Sequence, residues 1–180
     1  MTDFEHGKIV NVIRDPRDVI QSIRLAKWNK FFDIKKRLDQ YKLNIAISNR
    51  KIDSVKILNI KFEDLVLYPK KTLKEVCQFC EIDFDEEIIN NFFHSENLNF
   101  KLENEPWKIN NSKPLDPKNV FKWKSNSNSF ENKFVSWYCE QEIISLNYER
   151  NIFPSFFMRK IYFIWIIFFQ NFLSLVFLPS

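Results

Sequence analysis

The fold of this chain is decided by the stretch KIVNVIRDPRDVIQS, residues 8–22. Its first half, Lys8–Arg14, is a β-branched run typical of a buried strand. Asp15 can then cap a helix that has Pro16 at its first position, where the missing N–H has no helical partner to lose. The stretch therefore predicts a strand–turn–helix unit in which Arg14 closes the strand.

The rest of the chain extends this unit into an α/β layer. A second strand is predicted at Val55–Lys61. Helices are predicted over Asp33–Asn49, from Tyr68-Pro69 through Cys80, over Asp85–Phe93 and over Phe130–Leu146, with an irregular stretch at Ser95–Ser129. Strands separated by helices favour a parallel sheet flanked by helices.

Composition limits the classes of protein that fit. The chain has 180 residues, of which 45% are hydrophobic and 17% aromatic, enough for one compact core. Gly7 is the single glycine, which excludes the glycine-rich phosphate loops of dinucleotide-binding, Walker and kinase sites. The net charge of +4 comes from lysines interleaved with acids, so nucleic acid is not indicated as a partner.

The C-terminal segment, residues 159–180, differs from everything before it. Ile161–Leu178 carries no charge and, as a helix, would span about 27 Å against a hydrocarbon core of about 30 Å. Arg159 and Lys160 precede it, which predicts a membrane helix with the preceding domain on the cytoplasmic side. A buried terminal helix or an interfacial one, in a soluble cytoplasmic protein, is the alternative.

Arg14 and Ser22 are the residues to which we assign chemistry. Arg14 ends a strand, and ligands of open α/β sheets bind at the carboxyl ends of strands. Ser22 lies eight residues later, about two turns into the helix. A helix that folds back beside the strand brings a guanidinium and a hydroxyl towards one anion, and phosphate suits both donors.

These residues resemble a known family. VIRDPRDVIQS, residues 12–22, is similar to the segment by which sulfotransferases hold the 3′-phosphate of 3′-phosphoadenosine 5′-phosphosulfate (PAPS). Further segments match the family in the same order along the chain. KFEDL followed by YPKKTL (61–65 and 68–73) resembles the family's "YEDL…P…TL", and residues 79–87 resemble "FLG…FDE". Residues 120–123 resemble "GRW", and residues 146–149 resemble "LGYE".

The resemblance implies a P-loop-NTPase-like sulfotransferase domain over residues 1–155 and a sulfuryl transfer from PAPS, the co-substrate, to a hydroxyl or amine. Arg14 and Ser22 match the 3′-phosphate positions, and Lys122 and Trp123 match weaker nucleotide contacts. Trp123 has the alternative role of a core anchor. No metal is implied, and the acceptor, whether glycan, lipid or protein, stays open.

The departures from the family pattern concern the reacting end of the cofactor. The 5′-phosphosulfate loop of the family lies well upstream of the arginine–serine motif, but only thirteen residues precede Arg14. The sequence is therefore interpreted as the C-terminal two-thirds of such a domain, with no residue assigned as catalytic. A non-catalytic nucleotide-binding remnant, or a membrane-anchored interaction module, is the alternative function. Glu81 and Asn147 replace glycines of the pattern.

Two further motifs are assigned to structure. Cys77 and Cys80 have the CxxC spacing of metal sites, but both fall on the apolar stripe of a helix, so core packing is favoured over zinc. Glu63 and Asp64 are adjacent acids whose side chains diverge in a helix or a strand, which argues against a catalytic pair.

Overall fold

The computed structural model describes residues 7–25, 33–50, 55–87 and 116–150, together with 157, 159–162 and 164. The strands are β1 (Gly7–Ile13) and β2 (Val55–Lys61), and the helices are α1 (Pro16–Leu25), α2 (Asp33–Ser48), α3 (Phe62–Leu67), α4 (Pro69–Cys80), α5 (Phe130–Tyr138) and α6 (Glu140–Ser145). Two 3₁₀ turns lie at Pro117–Asn119 and Lys122–Asn126. The chain forms two compact units, one of Met1–Arg14 and Ile45–Lys122 and one of Asp15–Asn44 and Trp123–Ser180.

The first unit is built on a parallel pair of strands, as the sequence predicts. β1 pairs with β2 in a register that runs from Gly7 opposite Val55 to Ile13 opposite Lys61. Both strands therefore end at the same edge, where β2 passes directly into α3. Ile13 and Ile60, one near the end of each strand, are buried, and their burial stabilises this edge.

Helix α4 begins and ends close to the residues that the sequence predicts. Pro69 occupies its first turn, and the Thr72 hydroxyl donates to the carbonyl of Tyr68. The helix ends at Glu81, whose φ of 61° is left-handed. The N–H groups of Glu81 and Ile82 then donate to the last carbonyls of the helix, so Glu81 has the left-handed backbone for which glycine is usual at a helix end.

The second unit is held together by aromatic side chains. The Tyr162 ring stacks on Trp137 at 5.7 Å and meets Phe130 and Phe134 edge-on at 4.8 and 5.7 Å. Tyr162 is fully buried. Contacts of this kind add about 0.5–1.5 kcal/mol each beyond the area that they bury, so the cluster is a principal source of stability for this unit.

The prediction of one helix over Phe130–Leu146 was wrong, because the helix is interrupted at Cys139. Val135, Cys139 and Ile143 are all fully buried at a spacing of four residues, so the apolar period continues through the interruption. A periodicity argument reads such a pattern as one helix. The left-handed residue expected at the end of this region is present, since Asn147 has a φ of 52°.

Other predictions are tested only in part. Glu86 and Glu87 are helical, and the Asp85 carboxylate accepts from the N–H of Glu87, as expected for a helix that begins there. Residues 88–115, over which the rest of that helix and most of the irregular stretch are predicted, lie outside the described residues.

The predicted apolar C-terminal helix is not supported. Within the described part of the chain, no helix has both the length and the apolar character needed to cross a bilayer. Of Ile161–Leu178, only 161, 162 and 164 are described. Tyr162 packs inside the aromatic cluster of the second unit, whereas Ile164 is 64% exposed.

Candidate functional site

The carboxyl end of β1 presents Arg14, and two contacts fix the direction of its side chain. Its Nη2 donates to the backbone carbonyl of Asn119 at 2.6 Å. Its guanidinium carbon lies 4.6 Å from the centre of the Phe62 ring, the first residue after β2. The side chain is half-buried. These contacts hold the guanidinium at the carboxyl end of β1.

The contact with Asn119 brings a distant segment to the end of β1. Asn119 closes the first 3₁₀ turn, and the half-buried Lys122 begins the second one. Between them, Phe121 has a φ of 55°, an uncommon value for a bulky side chain. This segment therefore has a left-handed backbone, which glycine adopts most readily, at a residue that is not glycine.

Ser22 lies in the second turn of α1 with its side chain exposed to solvent. The helix is capped as the sequence predicts, because Asp15 Oδ1 accepts from the backbone N–H of Arg17 at 2.9 Å. Arg14 and Lys122 belong to the first unit and Ser22 and Trp123 to the second. The convergence of these residues on one nucleotide stays a prediction.

Trp123 belongs to a buried network at the start of α1. Arg17 and Asp15 form a two-pronged ion pair, with Nε to Oδ1 at 2.8 Å and Nη2 to Oδ2 at 2.6 Å, and their side chains are 0% and 1% exposed. The Arg17 guanidinium carbon lies 3.5 Å from the centre of the Trp123 ring. Since Trp123 is 2% exposed, this packing favours its alternative role as a core anchor.

The backbone of Trp123 is held as firmly as its ring. Its N–H donates to Asp18 Oδ1 at 2.9 Å, and its carbonyl accepts from Asn132 Nδ2 at 3.2 Å. Arg17 also donates to the carbonyl of Glu149 at 2.8 Å. The first turn of α1 thus fixes the backbone of the 3₁₀ turn from Trp123 onwards.

Sequence reasoning missed Arg17 and Asp18. Both are charged residues in a helical first turn, where a solvated position is usual, yet each is 1% exposed. A usable signal is Asp15 two residues before Arg17, a spacing that lets one carboxylate cap the helix and pair with the arginine. The aromatic partner, Trp123, is over a hundred residues away and gives no local signal.

The two motifs assigned to structure lie in helices α3 and α4. Glu63 is buried in α3, whereas its neighbour Asp64 is exposed, so the two carboxylates do not form a pair. Cys77 and Cys80 are half-buried free thiols on α4. Within the described residues, no cluster of three or more His, Cys, Asp or Glu side chains has the geometry of a metal site.

Comparison with known proteins supports the resemblance. Residues 2–86 match the model of the sulfotransferase family, and this range includes β1, Arg14 and Ser22. No curated protein sequence matches the chain.

One solved structure with a similar fold is a sulfotransferase domain from the curacin biosynthetic pathway. The TM-score is 0.53 at 18% sequence identity over 79% of this chain. This chain spans 54% of the length of that domain. The family match and the fold together confirm the resemblance to sulfotransferases.

Proposed function

We propose that this chain binds PAPS and acts in the transfer of its sulfuryl group to a hydroxyl or amine, with Arg14 and Ser22 holding the 3′-phosphate. The observation that supports this proposal most directly is the family match over residues 2–86. Arg14 lies within this range, directly after β1, and its guanidinium contacts Asn119 and Phe62. This end of the strands is where α/β sheets bind ligands.

Each residue has a defined part in the binding. Arg14 offers charge-assisted hydrogen bonds of about 1.5–3 kcal/mol, and the exposed Ser22 adds a neutral bond of about 1 kcal/mol. Lys122 supplies a second cation from the segment that contacts Arg14. The Trp123 ring packs on Arg17 and serves to hold this segment rather than to contact nucleotide.

The chemistry follows from the structure of PAPS. The acceptor oxygen or nitrogen attacks sulfur in line, and the bond from sulfur to the 5′-phosphate oxygen breaks. The acceptor loses its proton to a base, and 3′-phosphoadenosine 5′-phosphate leaves with the bonding electrons. Anchoring the 3′-phosphate aligns the donor for this attack, although we assign the role of base to no residue.

A titration with 3′-phosphoadenosine 5′-phosphate tests the assignment. We expect Arg14→Ala to weaken binding about 10- to 100-fold and Ser22→Ala about 3- to 10-fold, in line with the bonds removed. Adenosine 5′-phosphate, which lacks the 3′-phosphate, should bind the wild type and both variants about equally. Calorimetry or ligand-detected NMR gives the constants.

Arg24→Ala is the matched control, because Arg24 is an arginine of α1 whose exposed side chain pairs with Glu131. Its affinity for the bisphosphate should stay within about twofold of the wild type. If Arg14→Ala binds the bisphosphate as the wild type does, the phosphate assignment is wrong.

A transfer assay with radiolabelled PAPS separates catalysis from binding. Transfer to a glycan, lipid or protein acceptor that is lost in Arg14→Ala would support the full proposal. Retention of bisphosphate binding with no transfer to any of the three classes would leave nucleotide binding as the function of this chain.

A further inference from the structure

A cavity of about 300 Å³ opens in the first unit where β2 passes into α3 and α4. It is lined by residues of the strand end, of both helices and of the junction between the helices: Asn59, Ile60, Lys61, Asp64, Tyr68, Lys71, Thr72 and Glu75. Its volume is at the lower end of the range for small-molecule sites, which suits one or two sugar-sized rings.

The lining balances charge and presents one aromatic face. Asp64 and Glu75 contribute carboxylates, and Lys61 and Lys71 contribute ammonium groups. Tyr68 is 59% exposed, so one face of its ring is open to a ligand. Among the described residues, the side chains of Asp64, Tyr68 and Glu75 have no hydrogen-bond partner, so these three side chains can form hydrogen bonds with a ligand.

This combination selects a neutral, hydroxyl-rich ligand. Hydroxyl groups donate to carboxylates and accept from ammonium groups, so one sugar ring can bind the carboxylates of Asp64 and Glu75 and the ammonium group of Lys71. Its C–H face can cover the Tyr68 ring. An apolar lipid would desolvate these charges without compensation, and a polyanion would be repelled by Asp64 and Glu75.

The cavity is linked to Arg14 through two consecutive residues. Lys61 lines the cavity, and the next residue, Phe62, lies against the Arg14 guanidinium. A ligand in this cavity would therefore sit beside the strand ends at which we place the nucleotide.

We propose that this cavity binds a neutral oligosaccharide and is a subsite for a glycan acceptor. The acceptor role rests on the proposed function, whereas saccharide binding at Tyr68 does not. Glycan is thereby selected from the acceptor classes that the sequence leaves open.

The test uses the full chain and three neutral disaccharides, namely cellobiose, lactose and N,N′-diacetylchitobiose. Amide NMR shifts should locate binding of at least one of them at residues 59–75, with a Kd on the order of 1 mM. Tyr68→Ala should weaken this binding about tenfold or more, and Asp64→Asn and Glu75→Gln about threefold each. All three side chains are on the surface, so the variants should fold.

Ile82→Ala and Glu87→Gln are the controls, because both residues are exposed in the first unit and outside the cavity. Neither should change the affinity for the disaccharide. Equal weakening by a control and by Tyr68→Ala, or no shift at residues 59–75 with any of the three sugars, overturns the inference.

The bisphosphate titration separates the two proposals. Bisphosphate binding without disaccharide binding overturns the glycan subsite and leaves the proposed function intact. Disaccharide binding at Tyr68 without bisphosphate binding keeps the saccharide site, overturns its role as an acceptor subsite and removes the proposed function.

Discussion

Two arginines three residues apart in one motif have different surroundings. Arg14 is half-buried and is held by a carbonyl and an aromatic ring. Arg17 has a fully buried side chain that is engaged by Asp15, Glu149 and Trp123. The difference comes from tertiary burial, since the two side chains have the same chemistry.

The Arg17–Asp15 pair predicts a large, non-additive effect on stability. Arg17→Met leaves the Asp15 carboxylate buried without its partner, and we expect a loss of about 3–5 kcal/mol in the free energy of unfolding. The double variant Arg17→Met/Asp15→Leu removes both charges and should lose less than the sum of the two single variants. Urea denaturation measures all three.

Arg24→Met provides the comparison for this cycle. Arg24 pairs with Glu131 on the surface, with a side chain that is 66% exposed. Its replacement should change stability by no more than about 0.5–1 kcal/mol. Equal losses of unfolding free energy for Arg17→Met and Arg24→Met would show that the buried ion pair contributes no more to stability than the exposed one.

Glu81 predicts a stabilising substitution. Its left-handed backbone is strained by a Cβ atom, and its exposed carboxylate pairs with Lys8, whose hydrogen bond is the main cause of a lowered Glu81 pKa. Glu81→Gly relieves the strain and should raise the thermal midpoint by about 2–4 °C. Glu81→Ala loses the ion pair but keeps the strain, so a rise of the same size in that variant would refute the explanation.

At the scale of the elements, Cys139 lies at the interruption between α5 and α6, and its thiol has a strongly shifted pKa. Burial, followed by the nearby Glu142 carboxylate, raises the pKa of Cys139 to about 12. Cys77 and Cys80 on α4 are half-buried. Since the thiolate is the reactive form, the three thiols should differ in reactivity.

Thiol labelling at pH 8 should give two fast cysteines and one slow one. The slow thiol is expected to react only on unfolding and to be missing in Cys139→Ala. A raised pKa stabilises the fold fully below about pH 9, the range of the unfolded thiol, and this contribution is lost as the pH rises towards 12. Wild-type stability should therefore fall more steeply above pH 9 than that of Cys139→Ala, and three equal labelling rates would contradict the burial.

At the scale of the whole molecule, contacts across long stretches of chain build each unit. Asn119 and Arg14 are 105 residues apart, as are Trp123 and Asp18, and Glu149 and Arg17 are 132 apart. The division between the units falls between Arg14 and Asp15, inside the motif that decides the fold. The chain therefore enters each unit twice.

Membrane attachment through residues 161–178 stays a prediction of the sequence. If it is right, the chain should float with phosphatidylcholine vesicles in a density gradient, and a chain shortened after Ile164 should not. The shortened chain keeps Tyr162, which the aromatic cluster needs. Absence of the full chain from the lipid fraction would mean that these apolar residues do not attach it to a bilayer.

The sequence by itself determined the strand–turn–helix unit, the parallel pair of strands, the cap of α1 and the sulfotransferase resemblance. These features depend on local propensity, apolar period and ordered motifs, all of which act between near neighbours in the chain. It also predicted that Glu63 and Asp64 would diverge, because adjacent side chains on a helix point apart.

Only the tertiary structure decided the burial of Arg17 and Asp18, the anchoring role of Trp123, the interruption at Cys139 and the cavity beside Tyr68. Each depends on which distant segments meet, and burial of a charge is favourable only once its partners are in place. An apolar period specifies that a face is buried, but it does not specify what lies against that face.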